Sequence, residues 1–163
     1  MQKKMLVFFS VLVLGILNYG IYEKEQIKSR GETLLLKLAP VDPRSLMQGD
    51  YMRLRYAIER DIPKELARKQ EKRGYMVILP DEKGVAAFVG FYQGETLARG
   101  EKLLRYHKKY DSSVKIVPDS FLFQEGHGAY YQAAEYGEFR IDNSGNHVLV
   151  GLTDKNYQRI VPE

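Results

Sequence analysis

The sequence predicts a mainly β domain with two short helices, of the α+β class, preceded by one N-terminal transmembrane helix. Three observations predict it. An apolar run fills residues 5–21, alternating apolar and polar segments follow, and turns containing Gly separate those segments at short intervals. With 44% hydrophobic residues, 12 Tyr and 7 Phe, a chain of 163 residues can form one hydrophobic core.

Residues 1–22 are predicted to form a membrane anchor. The apolar run of roughly 17 residues is close to the lower limit for a helix that crosses a bilayer. Tyr19 and Tyr22 stand where an interfacial aromatic belt is expected. A cleaved signal peptide is the competing interpretation. Because no cleavage site of the Ala-x-Ala kind follows the run, a retained signal-anchor is favoured.

The orientation of the anchor does not follow from charge, since the positive residues on its two flanks nearly balance. These residues are Lys3 and Lys4 on one side, and Lys24, Lys28 and Arg30 on the other. The simplest topology is a short tail inside the cell and the folded part outside it. We therefore expect a single-pass protein of the cell membrane, with residues 23–32 as a charged, mobile stalk and residues 33–163 as an extracytoplasmic domain.

The first part of the domain is predicted to contain two strands and a helix. One strand covers residues 33–39 and ends at Pro40. After a loop, a Gly-Asp turn leads into a second strand that extends to about residue 59. A charged helix is expected over residues 64–73, with Asp61 as N-cap and Gly74 as terminator. This helix is predicted to be a solvated surface; the alternative is a patch that contacts anionic lipid or an acidic partner.

The remainder of the chain is predicted to form hairpins. Strands are expected over residues 75–79, 85–92, 102–109, 114–117, 121–123, 138–141 and 147–152, with a short helix over residues 129–136. The Asp-x-x-Gly turn at 81–84 and the Val-Gly pair at 89–90 recur at 142–145 and 150–151, with a constant offset. This recurrence indicates two strand–strand–helix–hairpin units that arose by duplication; chance recurrence of turn residues is the alternative.

Alternation is clearest in the octet at residues 49–56, which reads Gly-Asp-Tyr-Met-Arg-Leu-Arg-Tyr. It places Met52, Leu54, Tyr56 and Ile58 on one face of a half-buried strand. The opposite face is predicted to carry Tyr51, Arg53, Arg55 and Glu59.

The octet matches the signature of the GDYxxLxY family of membrane-anchored proteins, and the chain resembles that family throughout its extracytoplasmic part. The lead-in Val-Asp-Pro-Arg at 41–44 and the segment Phe-Leu-Phe-Gln-Glu-Gly at 121–126 extend the resemblance. Members carry no assigned activity, and their genes often lie beside those of multi-spanning membrane proteins. The resemblance implies an architecture and a membrane-protein partner, with structural roles for the signature residues Gly49, Asp50, Tyr51, Leu54 and Tyr56.

Composition excludes several kinds of chemistry. The chain has no Cys, so disulfides, thiolate catalysis and Cys-ligated zinc or iron–sulfur sites are excluded. No Walker or dinucleotide-type glycine loop is present, and no cofactor is expected. Nucleic acid is not an expected partner, because the net charge of +4 is mild and no basic stretch is interleaved with stacking aromatic residues.

One enzymatic hypothesis comes from the approach to the octet. A Pro-containing loop that leads into Gly-Asp is similar to the box around the nucleophile of type I signal peptidases. Aligning the two places Val41 at the nucleophile position, where valine offers no oxygen. Ser45 would serve only if the loop were rebuilt, so we expect no peptidase activity.

The three histidines, His107, His127 and His147, show no metal-ligand spacing, and no metal site is expected. Glu125 and His127 form the one place where a flexible loop presents a carboxylate and an imidazole together. With Glu135 or Asp50 they could make a proton-transfer or metal site, so both are retained as possible binding residues.

Arg53 and Arg55 are the other possible binding residues. They could bind a carboxylate or phosphate, or they could form ion pairs with acidic residues on a neighbouring strand, which is the ordinary role of such residues. Together these features predict a membrane-anchored binding or accessory module rather than an enzyme, acting on another membrane protein. The alternative is an envelope hydrolase, peptidase-like or metal-dependent.

Overall fold

A computed structural model describes residues 2–39, 47–48, 51–109 and 113–162. The chain begins with one long helix, α1, at Gln2–Arg30. Its apolar side chains between residues 5 and 22 are exposed on every side, and an 18-residue window within residues 4–30 has a mean hydropathy of 2.0. Among the described residues, one helix is long enough and apolar enough to cross a membrane, and that helix is α1. We therefore treat α1 as a candidate membrane anchor.

The charged segment after the apolar run does not form the expected loose stalk. Residues 23–30 continue α1, and Ile27 is 8% exposed where the helix packs on the domain. The backbone N–H of Gly31 donates to the carbonyl of Ile27 at 2.8 Å, and Arg140 donates to the carbonyl of Gly31 at 3.1 Å. The first bond closes the last turn of α1, and the second, together with the packing of Ile27, attaches the end of the helix to β9 in the domain. The division into anchor, stalk and domain stays a prediction.

The described residues of the domain form three antiparallel sheets, which confirms the mainly β class. In sheet order the first contains β1 (Glu32–Lys37), β9 (Tyr136–Ile141) and β10 (His147–Thr153). The second contains β5 (Ala86–Phe91), β4 (Arg73–Pro80), β6 (Lys102–Lys108) and β7 (Val114–Lys115). The third contains β2 (Met47–Gln48), β3 (Tyr51–Arg53) and β8 (Ser120–Leu122).

The strand order has the internal symmetry that the recurrent turns predict. The hairpin of β4 and β5 is joined by β6, and the hairpin of β9 and β10 is joined by β1. Each hairpin thus pairs with the first strand of the other unit. Both hairpins also have an irregularity at the same point, where the register skips Val89 in one and Val150 in the other.

The two turns are built alike. Asp81 Oδ1 accepts the backbone N–H groups two and four residues ahead, at 2.8 and 2.9 Å. Asp142 Oδ1 does the same at 2.9 and 2.8 Å. Gly84 and Gly145 complete these turns with φ of 81° and 82°, a conformation that side chains disfavour. The repeated letters therefore correspond to a repeated structure.

Both predicted helices differ in extent from the expectation. Instead of one helix over residues 64–73, the chain has α2 (Ile58–Asp61) and α3 (Lys64–Arg68). Ile62, between them, has the extended backbone that the residue before a proline prefers, and its side chain is buried. Gly74 does not end a helix, because it lies within β4.

The second helix is a 3-10 helix, η1 (His127–Ala133), rather than the helix predicted over residues 129–136. It ends earlier because the N–H of Glu135 donates to the carbonyl of Thr153 at 2.8 Å, which draws the following residues into the first sheet. Tyr131 holds η1 against the domain through ring contacts with Phe121 and Phe123.

The core lies between the sheets and includes side chains from all of them. Its fully buried members come from both repeated units, so neither unit encloses a core by itself. The largest are Leu34, Leu36, Tyr56, Met76, Ile78, Leu104, Ile116, Phe139 and Leu152.

Candidate functional site

The segment of residues 51–56 connects two sheets. Its first part is β3; beyond it the N–H of Leu54 donates to the carbonyl of Asp119 at 2.9 Å. The carbonyl of Arg55 then accepts the N–H of Ala39 at 2.7 Å, next to the end of β1. The strand predicted up to about residue 59 is therefore shorter, because α2 begins at Ile58.

The predicted alternation of this segment is confirmed. Met52, Leu54 and Tyr56 are 4%, 3% and 0% exposed, and they enter the core. Arg53 and Arg55 point to solvent. One face of the segment therefore packs in the core, and Arg53 and Arg55 on the opposite face are exposed to solvent.

Tyr56 occupies a closely packed site. Its hydroxyl donates to the carbonyl of Pro118 at 2.7 Å, and its ring meets that of Phe139 edge to face, with centroids 5.6 Å apart. A Cβ on Gly137 would lie only 3.2 Å from the Tyr56 ring, so a larger residue there would crowd it. Burial raises the pKa of Tyr56, and the carboxylate of Glu59 raises it further.

A cleft of about 1150 Å³ opens beside the exposed face of this segment. Seven basic residues and two acidic ones are among its lining residues, so it is strongly cationic. The basic residues are Arg53, Arg55, Arg60, Lys64, Arg68, Lys109 and Lys115, and the acidic ones are Glu59 and Asp119. They come from the segment of residues 51–56, from α2 and α3, from the ends of β6 and β7, and from the approach to β8.

Both acidic residues already have cationic partners. Glu59, with a side chain 6% exposed, binds Lys115 Nζ through Oε2 at 2.6 Å and accepts the N–H of Ile116 through Oε1 at 3.0 Å. Asp119 lies 3.6 Å from Lys109 Nζ at the surface. Glu59 therefore holds β7 to α2, which shapes one wall of the cleft.

Four cations of the cleft have no such partner among the residues that the structure describes. Within the described part of the chain, no carboxylate lies within ion-pair distance of Arg53, Arg55, Lys64 or Arg68. The cross-strand ion pairs expected for the arginines do not form there, because the residue opposite Arg53 on β8 is Ser120. Guanidinium groups without a carboxylate partner can bind a ligand that carries carboxylate or phosphate groups.

A family model described as GDYXXLXY protein matches residues 13–152. The chain belongs to the GDYXXLXY protein family. The match begins inside α1 and extends to the end of the last hairpin, so it includes both repeated units and the cleft. No curated protein and no solved structure matches the chain.

The signature that names the GDYXXLXY family falls partly outside the described residues. Gly49 and Asp50 lie there, as do Val41 and Ser45 of the preceding loop. Of the described signature residues, Leu54 and Tyr56 are in the core, and half-buried Tyr51 lines the cleft.

Glu125 and His127 are not part of the cleft. They flank Gly126 at the start of η1, where the His127 ring contacts that of Tyr130 with centroids 5.7 Å apart. No hydrogen bond joins Glu125 to His127 among the contacts of described residues. Within the described ranges, no group of three or more His, Asp or Glu side chains is placed to hold a metal ion.

Sequence reasoning placed Tyr51, Arg53, Arg55 and Glu59 on one face, but it missed the other charged residues of the cleft. Lys64 and Arg68 belong to the charged helix that the sequence predicts over residues 64–73 as a solvated surface, and Lys109 and Lys115 carry no signal in the sequence. The one available signal was the i, i+4 spacing of Lys64 and Arg68, which places both on the same side of a helix.

Proposed function

We propose that this protein is a membrane-anchored binding module that holds an acidic segment of a multi-spanning membrane protein in its cationic cleft. The folded domain lies outside the cytoplasm in this proposal, and α1 is its single anchor. The observation that carries it is the set of four cations without described carboxylate partners, two of which lie on the signature segment itself.

The size of the cleft supports an extended ligand. A volume of about 1150 Å³ far exceeds that of one phosphate or carboxylate group, and the cations are contributed by separate elements. A peptide with several Asp or Glu side chains can reach successive cations along such a surface. Arginine favours this recognition because its planar fork binds a carboxylate through two parallel hydrogen bonds.

The membrane anchor supports a partner in the same bilayer. When two proteins share a membrane, the second contact forms at a high effective concentration, so a cleft of modest intrinsic affinity is sufficient. Charge complementarity in such a site mainly contributes specificity and association rate.

The roles of the signature side chains support binding rather than catalysis. Leu54 and Tyr56 pack in the core, and the Tyr56 hydroxyl donates to the carbonyl of Pro118. Glu59, the buried carboxylate next to the cleft, is bonded to Lys115 and to the Ile116 amide. These groups are therefore already committed to packing and pairing.

The test is co-purification of the full chain from mild detergent, followed by mass spectrometry. We expect the natural sequence to bring down a stoichiometric multi-spanning protein, and the Arg53→Glu/Arg55→Glu variant to lose it. Arg99→Glu/Lys155→Glu is the matched control, since it makes the same charge change at exposed positions away from the cleft.

Loss of the partner in both variants, or retention in both, would contradict the cleft as the binding site. A Glu125→Ala/His127→Ala variant should keep the partner, because these residues lie elsewhere. Protease treatment of bacterial spheroplasts tests the orientation. If the domain is digested only after the inner membrane is permeabilised, the domain faces the cytoplasm and the proposed orientation is wrong.

A further inference from the structure

A second groove, of about 600 Å³, lies between the end of α1 and the domain. On one side it is lined by Lys24 of α1. On the other it is lined by residues of β4, β6 and β10 and by the segment before β8. We call it the juxtamembrane groove.

The charged side chains that line the juxtamembrane groove are all cationic. Its charged lining residues are Lys24, Arg73 and Arg105, and no described carboxylate is among its lining residues. All three cations are exposed, and none has an ion-pair partner within the described ranges. Three like charges around one groove repel each other, and an anion placed between them would relieve that repulsion.

One wall of the groove is apolar. Val117 is 54% exposed, and Pro118, Val148 and Leu149 lie alongside it. An inorganic anion would gain nothing from such a wall. An amphiphile with an anionic head and a hydrocarbon tail would use both surfaces.

The position of the groove along α1 matches the level of lipid headgroups. The exposed Tyr19 and Tyr22 mark the end of the apolar part of the helix, where interfacial aromatic residues are found. Lys24 follows Tyr22 by two residues, which is about 3 Å along the helix axis. An adjoining cavity of about 870 Å³ includes both tyrosines in its lining and shares Lys24 and Arg105 with the groove.

We propose that the juxtamembrane groove binds the phosphate headgroup of an anionic phospholipid, which orients the domain on the bilayer surface. The phosphate lies between Lys24, Arg105 and Arg73, and the acyl chains follow the apolar face of α1 into the bilayer. The site is separate from the cationic cleft and does not depend on a protein partner.

His147 lines the groove, and its pKa responds to the positive charges of Lys24 and Arg105. Its Nε2 lies 2.8 Å from the carbonyl of Val117. Burial is the largest cause that lowers the pKa of His147; contacts with the carbonyls of Gly145 and Val117 oppose this, and the charges of Lys24 and Arg105 lower the pKa further. A bound phosphate would offset those charges and raise the pKa.

The test is native mass spectrometry of the full chain in detergent, titrated with phosphatidylglycerol or phosphatidylcholine. We expect phosphatidylglycerol to bind preferentially, and Arg73→Gln/Arg105→Gln to weaken it by about fivefold for each cation removed, the factor that corresponds to about 1 kcal/mol. Arg99→Gln/Lys155→Gln, with the same loss of charge elsewhere, should bind like the natural sequence. Thermal unfolding of each variant verifies that it is folded.

Two further measurements locate the lipid and identify its source. The pKa of His147, followed by NMR, should rise with phosphatidylglycerol and stay unchanged with phosphatidylcholine. Inorganic phosphate at millimolar concentration should not displace the lipid. The proposal would be overturned if the two lipids bound equally or if both variants weakened binding equally. It would also be overturned if phosphatidylglycerol left the pKa of His147 unchanged, or if phosphate displaced the lipid.

Discussion

Replacement of Tyr56 by Phe removes one oxygen atom from the centre of the fold. Tyr56 is 0% exposed, and its hydroxyl donates to the carbonyl of Pro118, 62 residues along the chain, at 2.7 Å. A neutral hydrogen bond contributes about 1 kcal/mol net, and the half-buried carbonyl left without this donor adds a further cost. We expect Tyr56→Phe to lower the free energy of unfolding by about 1.5 kcal/mol, and the melting temperature by about 5 °C.

The pH dependence provides a second, independent measure. Because burial raises the pKa of Tyr56 in the folded state, its contribution to stability is fully present below the unfolded pKa of about 10. It is lost as the pH rises above that value, at about 1.4 kcal/mol for each pH unit. The difference between the natural sequence and Tyr56→Phe should therefore nearly vanish by about pH 11.

The assay is thermal or chemical unfolding of the full chain in detergent at pH 7 and near pH 11. Tyr130→Phe is the matched control, since it removes the same atom from a side chain of which 46% is exposed, and its effect should stay within about 0.5 kcal/mol. If Tyr56→Phe is no more destabilising than Tyr130→Phe, or if its effect persists at high pH, the structural role given to Tyr56 is wrong.

Three further predictions concern other buried polar groups. Glu59→Gln breaks the 2.6 Å ion pair with Lys115 and should lower the free energy of unfolding by about 2 kcal/mol; the lysine side chain, 21% exposed, can turn to water. Thr153→Val should raise it by about 1 kcal/mol, because the Thr153 hydroxyl is buried and has no hydrogen-bond partner among the described atoms. Burial lowers the pKa of His147, so its contribution to stability is present above about pH 6.5 and is lost as the pH falls below it; His147→Gln should remove this slope.

Each of these predictions has a result that would contradict it. Unfolding curves measured at pH 7 should show Glu59→Gln to be less stable than the natural sequence and Thr153→Val to be more stable. The reverse order would refute the ion pair assigned to Glu59 and the unsatisfied hydroxyl assigned to Thr153. For the histidine, unfolding followed between pH 7.5 and 5 should show a steeper loss of stability in the natural sequence than in His147→Gln. Parallel curves would show that His147 does not contribute.

The sequence predicted the elements whose signals are local. Tight turns follow from Asp and Gly at fixed spacing, and alternation over a few residues identifies the buried face of a strand. The hairpins at residues 81–84 and 142–145, the buried Leu54 and Tyr56, and the exposed Arg53 and Arg55 were therefore predicted correctly. The helices were less accurate, because burial of Ile62 and pairing of β4 compete with helix propensity over residues 62–74.

By itself the sequence determined an apolar helix, a mainly β domain and membership of the GDYXXLXY family, because hydrophobic pattern, turn chemistry and signature letters are properties of neighbouring residues. Tertiary structure alone decided which cations share a cleft and which strand joins which hairpin. Glu59 meets Lys115 across 56 residues, and Lys24 of the helix faces Arg105 of a strand. Such contacts join residues that are far apart in the sequence, and a pattern among neighbouring residues does not specify which distant segments come together.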